Sequence, residues 1–184
     1  MPQIVLIGPV GAGKSTVAAL LSERTGIRNV PLDLIRWNYF YLAGYDRAEE
    51  RRREAAEGPA GRYAYWKPFE VHAVEQALAE YPEAIIDFGA GASVHDDPGR
   101  FARVARAVAS ADHVVLLLPS PDPEVSLRIL MQRLDPPADR ATFVATRQAA
   151  LLASPCNARL ATATVYTADR TPEETCAEIL ALIR

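Results

Sequence analysis

Residues 8–15 read Gly8-Pro9-Val10-Gly11-Ala12-Gly13-Lys14-Ser15 and follow the apolar run Pro2-Gln3-Ile4-Val5-Leu6-Ile7. The octet fits Gly-x-x-x-x-Gly-Lys-[Ser/Thr], and Thr16 to Arg24 beyond it carries the apolar spacing of a helix packed on a sheet. Strand, glycine loop and helix stand in the order that a phosphate-binding loop requires. The glycines let the turn curl with its backbone N–H groups pointing inward, at the positive end of the following helix. Residues 8 to 16 are therefore expected to hold a nucleoside triphosphate. Within that set Lys14 reaches the β- and γ-phosphates and Ser15 offers its hydroxyl to Mg²⁺.

Size and composition narrow the class. A chain of 184 residues suits one domain. With 49% hydrophobic and 23% charged residues and a net charge of only -3, it offers no surface suited to nucleic acid. No apolar run approaches the ~20 residues that span a bilayer, and the amino terminus enters the first strand without a signal peptide, so the expectation is a cytoplasmic protein. Cys156 and Cys176 are too few and too far apart for a disulfide framework or a zinc site.

Strand-like runs recur at residues 4–7, 29–32, 84–88, 113–118 and 164–167, separated by segments long enough for helices. Helices are expected over 14–24, 46–57, 62–80, 98–109, 123–134, 139–153 and 172–183. This alternation implies a parallel sheet with helices on both faces. The long interval from Asp33 to Pro82 reads as a helical insertion, over 34–82, covering the carboxyl ends of the strands where ligands sit in such folds. Arg47–Glu57 interleaves acids with arginines and reads as a solvated helix face.

Several residues are candidates for chemistry. Asp87 closes the apolar strand Ala84-Ile85-Ile86 and suits a hard metal ion such as Mg²⁺. Gly89-Ala90-Gly91 follows at once, leaving room for a ligand or for another backbone. Asp33, after the second strand, either orients and deprotonates a substrate hydroxyl or caps the helix that begins near Leu34. Nine of the fourteen aromatic residues fall between Trp37 and Phe69. They read chiefly as the core of a helical subdomain, or else as an acceptor pocket in which Lys67 and Arg36 anchor a carboxylate or phosphate. Arg128 and Arg133, and behind them Arg140 and Arg147, flank the Asp135-Pro136-Pro137 break, a candidate lid over 133–147. His95-Asp96-Asp97 reads as a loop or helix entry.

With these elements placed, the chain resembles the shikimate kinase and nucleoside monophosphate kinase branch of the P-loop proteins, and shikimate kinase more closely. The resemblance implies an α/β/α sandwich with a five-stranded parallel sheet in the order 2-3-1-4-5. It matches Asp33 to one carboxylate of a DxD pair, Lys67 to an arginine that grips the substrate carboxylate, and Gly89-Ala90-Gly91 to a glycine triplet. It also matches Arg128 to an adenine-side arginine, Arg133 to a lid arginine, and Ala168-Asp169-Arg170-Thr171-Pro172 to an adenine loop, which brings Arg170 and Pro172 into the nucleotide site. Pro31 replaces the first carboxylate of the pair, Lys67 the arginine, and Ala158 a second arginine, with Arg159 beside it. Asp87 is unlike the small residue usual at that strand end. These departures fit a rearranged Mg²⁺ site and a different acceptor. The expectation is thus an ATP- and Mg²⁺-dependent small-molecule kinase, monomeric or homodimeric. A nucleotide or nucleoside kinase is the first alternative, and a regulatory ATP-binding protein acting on a protein partner the second. Adenine is preferred by resemblance.

Overall fold

The computed structural model describes residues 1–183. Its strands are β1 (Ile4–Ile7), β2 (Arg28–Pro31), β3 (Ala84–Asp87), β4 (His113–Leu118) and β5 (Ala163–Tyr166). They form one sheet in the order β2-β3-β1-β4-β5, parallel throughout, as expected. The central strand β1 is covered on both faces, and its four apolar residues are fully buried. Alternate side chains of the strands go to opposite layers. Ile4, Leu6, Ile85, Val115 and Leu117 pack against Val17, Leu21, Leu130 and Ile179, while Val5, Ile7, Ile86 and Leu116 pack in a second core with Phe40, Val71, Val74 and Val104.

The helices are α1 (Lys14–Thr25), α2 (Leu32–Leu42), α3 (Arg47–Glu80), α4 (Pro98–Val108), α5 (Pro123–Leu134), α6 (Ala138–Ala153), α7 (Cys156–Leu160) and α8 (Pro172–Leu182). The expected helices over 46–57 and 62–80 run on as α3, with a kink at Gly58 (φ 67°, ψ -162°) ahead of Pro59. The interval between the two expected helices thus holds a single non-helical residue. The strand read at 29–32 ends one residue earlier, because Leu32 already belongs to α2. The short α7 had no periodicity long enough to reveal it. Asp97 caps α4 by accepting from the Arg100 N–H at 2.7 Å, in keeping with a helix entry there. Among the described residues no helix is long and apolar enough to cross a membrane.

Register fixes where a site can form. Leu6 pairs with Asp87 and Ile7 with Leu116, so the carboxyl ends of β1, β3 and β4 open together onto the loop that follows β1. Gly8 begins that loop at φ 140°, and a Cβ placed on it would lie 2.3 Å from the carbonyl oxygen of Leu117 in β4. The obstacle is backbone of a central strand and cannot swing aside. Gly8→Ala is therefore expected to destabilise the fold by about 2 kcal/mol or more, through a strained φ and displaced sheet backbone. The denaturant midpoint of the variant against the native chain checks this; an unchanged midpoint would mean that the loop and β4 are not so closely apposed.

Candidate functional site

Helix α1 starts directly from the glycine loop, with Gly13 (φ 95°) as its N-cap, no side-chain cap bond and no acidic residue in its first turn. Its leading N–H groups are therefore available to an anion, and the helix dipole favours one there. Lys14, only 8% exposed, folds back so that Nζ donates to the carbonyls of Gly8 (3.1 Å) and Pro9 (3.0 Å). Next to it, Ser15 Oγ donates to Asp87 Oδ2 at 2.5 Å. The other carboxylate oxygen, Asp87 Oδ1, is buried without a hydrogen-bond partner. A hydroxyl and a carboxylate in contact, with one buried oxygen unpaired, are a donor set that fits Mg²⁺.

Burial shifts both charges toward neutrality. The Lys14 ammonium is lowered below the usual lysine range by desolvation, which outweighs the attraction of Asp87 and Asp33. The Asp87 carboxyl is raised by desolvation against the opposing effects of Ser15 and Lys14. Each group is thus short of counter-charge, and a bound triphosphate and cation are what would supply it.

Asp33 stands in the same cavity of about 370 Å³ as Lys14, Ser15 and Asp87, with Val10, Gly11, Gly13, Thr16, Phe88, Ala90 and Arg133 completing the wall. The capping role weighed for Asp33 is not realised: Pro31 is the N-cap of α2, and Asp33 lies in the first turn. Its carboxylate instead pairs with Arg36 (2.9 Å) and overhangs Gly89, where a Cβ would sit 2.3 Å from Oδ1. Gly89 is small so that this carboxylate can reach the strand end.

A second cavity, of about 240 Å³, adjoins the first and is lined by Gly11, Ala12, Gly13, Thr16, Val17, Arg133, Thr167, Arg170, Pro172 and Thr175. Arg133 lies at the junction of the two. It donates to Thr167 Oγ1 (3.1 Å), the Thr167 carbonyl (2.9 Å) and the Gly11 carbonyl (3.3 Å). Those bonds fasten it to the phosphate loop and to the segment after β5. Arg128 is exposed and lines neither cavity, because five residues along α5 turn it away from Arg133.

The aromatic cluster is mainly a core. Trp37, Phe40, Tyr45, Trp66 and Phe69 meet edge-on or tilted at 5.4–6.4 Å, which is how a helical subdomain fills itself. Tyr63 stacks on Phe143 of α6 and carries the Arg147 guanidinium 3.5 Å from its ring centroid. Lys67, which the sequence offered as an anchor, donates to Glu70 Oε2 (2.8 Å) and to the carbonyls of Gly91 (2.7 Å) and Val94 (2.8 Å). Arg140 is exposed. Sequence reasoning missed Glu70, although its i,i+3 spacing from Lys67 on a helix was a signal. It also missed Gln148, 2% exposed, which donates to the Val10 carbonyl at 2.7 Å and ties α6 to the phosphate loop; nothing in the sequence marked it.

No family model matches the chain. It is 35% identical to a shikimate kinase of Streptomyces coelicolor over 118 residues, 63% of this chain and 57% of that protein. It is 32% identical to a shikimate kinase of Streptomyces avermitilis over 119 residues, 64% of this chain and 58% of that one. The chain thus matches less than two thirds of the length of these curated relatives. Among solved structures, a shikimate kinase from Acinetobacter baumannii in complex with shikimate superposes with a TM-score of 0.69 at 22% identity, covering 100% of this chain and 93% of that one. A gluconokinase from Sinorhizobium meliloti superposes with a TM-score of 0.61 at 17% identity, covering 99% and 91%. The fold is that of these two kinases, and over about two thirds of its length the sequence is similar to those of the two Streptomyces shikimate kinases.

Asp87→Asn tests the metal donors. The apparent Mg²⁺ affinity, read from nucleotide binding as Mg²⁺ is titrated, is expected to fall about tenfold or more when the carboxylate is lost. Because burial raises the Asp87 pKa, a proton competes with the cation from above the ordinary carboxylate range, so the native chain's Mg²⁺ affinity should weaken as pH falls through the raised value. An Mg²⁺ titration indifferent to both the substitution and the pH would remove Asp87 from the site.

Proposed function

We propose that the chain is an ATP-dependent phosphotransferase that moves the γ-phosphate of ATP to a hydroxyl or phosphate of a small metabolite, with Mg²⁺. The observation that carries this reading is the convergence of Lys14, Ser15, Asp87 and Asp33 on one cavity at the carboxyl ends of β1 and β3. The shikimate kinase relatives support it.

The residues divide the work. Gly8, Pro9, Val10, Gly11, Ala12 and Gly13 form the phosphate cradle, with Thr16 behind it, and Lys14 exchanges its loop carbonyls for phosphate oxygens. Ser15 and Asp87 would hold Mg²⁺, which when bound offsets charge on the phosphate oxygens. Arg170 and Pro172 line the neighbouring cavity, which suits the adenine, and Arg133 sits where base and phosphates meet. Asp33 orients the acceptor hydroxyl and takes its proton, steadied by Arg36. The hydroxyl oxygen forms a bond to the γ-phosphorus while the bond from that phosphorus to the β–γ bridging oxygen breaks, and ADP leaves. The acceptor lies along Gly89, Ala90 and Gly91, between Asp33 and Lys67. Eight of the nine clustered aromatics, all but the exposed Tyr41, lie in or pack against the hydrophobic core, which favours a non-planar acceptor over a nucleobase.

The test is ATP consumption by the purified chain with Mg²⁺, alone and with a panel of polyols, sugars, sugar acids, nucleosides and nucleoside monophosphates. One non-nucleotide acceptor is expected to raise the rate at least ~100-fold, since positioning a hydroxyl against the phosphate supplies several kcal/mol. A nucleoside or its monophosphate as the active acceptor would replace this reading by a nucleotide kinase. A slow basal rate that nothing accelerates would overturn it in favour of a regulatory ATP-binding protein.

A further inference from the structure

The acceptor floor ends in a cation with no donor to spare. A lysine ammonium has three N–H bonds. On Lys67 they go to Glu70 Oε2, the Gly91 carbonyl and the Val94 carbonyl, all at 2.7–2.8 Å. Glu70 is only 5% exposed and its carboxylate lies on the floor itself: a Cβ on Gly91 would meet Glu70 Oε1 at 3.0 Å and Lys67 Nζ at 3.5 Å. Turning Nζ toward an incoming anion would strand a buried carboxylate and two carbonyls for one new bond, a losing exchange.

The other cations near this floor are engaged as well. Arg36 pairs with Asp33 at 2.9 Å and lies over the rings of Trp37 and Trp66, 5.0 and 4.8 Å from their centroids. Arg159 stacks on Phe101 at 4.2 Å. The adjoining cavity, about 590 Å³, sets Lys67, Arg100 and Arg147 against Asp96 and Asp97, with Glu70 bonded behind Lys67. Positive and negative groups balance there. What the floor itself offers a ligand is oxygen: Asp33 at one end and Glu70 Oε1 at the other.

Building on the phosphotransferase reading, we infer that the acceptor is an uncharged, multiply hydroxylated small molecule, bound by donating hydroxyl protons to Asp33 and Glu70, and that the site rejects a carboxylate at its Lys67 end. A carboxylate against Lys67 would face Glu70 and find no free N–H on that ammonium. Lys67 acts as a positioning residue that clamps the 91–94 segment and holds the Glu70 side chain in place.

Calorimetric binding to the Mg·ADP-loaded 184-residue chain tests this with a matched pair, shikimate and its uncharged methyl ester, which share every hydroxyl. The native chain is expected to bind the ester about tenfold or more tightly than the acid. Lys67→Arg, whose guanidinium has five N–H donors, and Glu70→Gln, which removes the opposing charge, should each shift that ratio about tenfold toward the acid. If the native chain binds neither compound, the appearance of acid binding in either variant gives the same answer, with folding checked by circular dichroism. Binding of the acid by the native chain as tightly as the ester, or a preference that neither variant moves, overturns the inference. The readout is binding and not turnover, so a chain that accelerates with no acceptor loses the phosphotransferase reading separately.

Discussion

Everything else in this molecule is arranged around two opposite charges, Lys14 and Asp87, withdrawn from water at the end of a parallel sheet. Neither is comfortable there: desolvation pushes the lysine down and the carboxyl up despite their attraction. Such a pair adds little to stability by itself. It is kept in place by structure made for other reasons. The lysine opens a helix whose apolar face is locked into the core through Val17, Ala18 and Leu21, and the aspartate ends a strand hydrogen-bonded on both sides. The two charges are therefore positioned by the packed sheet and helix themselves, the preorganisation that stabilising a transferring phosphate would need.

A few specific contacts connect this centre to the surrounding helices. Arg133 joins the end of α5 to the Gly11 and Thr167 carbonyls, and Gln148 joins α6 to Val10, so both helices are tied to the phosphate loop. On the other side α6 meets α3 through Phe143 and Arg147 on Tyr63. Helix α6 thus touches both the phosphate loop and the helical insertion. Of the glycines after β3, Gly89 leaves room for the Asp33 carboxylate and Gly91 for the close approach of Glu70.

The sheet, its order and the phosphate loop were legible in the sequence because local signals agree there: period, strand length, glycine spacing and helix start all point the same way. Asp87 and Asp33 could be placed at the sheet end because each follows an apolar run. The rest depends on which face of a helix looks inward, which spacing alone does not say. Arg128 and Arg133 lie on one helix, yet only Arg133 turns toward the nucleotide cavity. The reading of Lys67 as a free anchor took account of its charge but not of the three oxygens that its own helix and the 91–94 segment present to it. Gln148 makes a contact across 138 residues of sequence, and no local pattern encodes it.

The most direct measurement is equilibrium binding of Mg·ATP to the native chain and to Lys14→Ala. The account predicts one equivalent bound by the native chain and an affinity about 100-fold lower or worse in the variant, the scale of a buried charge-assisted contact with phosphate. Equal affinity in the two proteins, or no binding by the native chain, would contradict it.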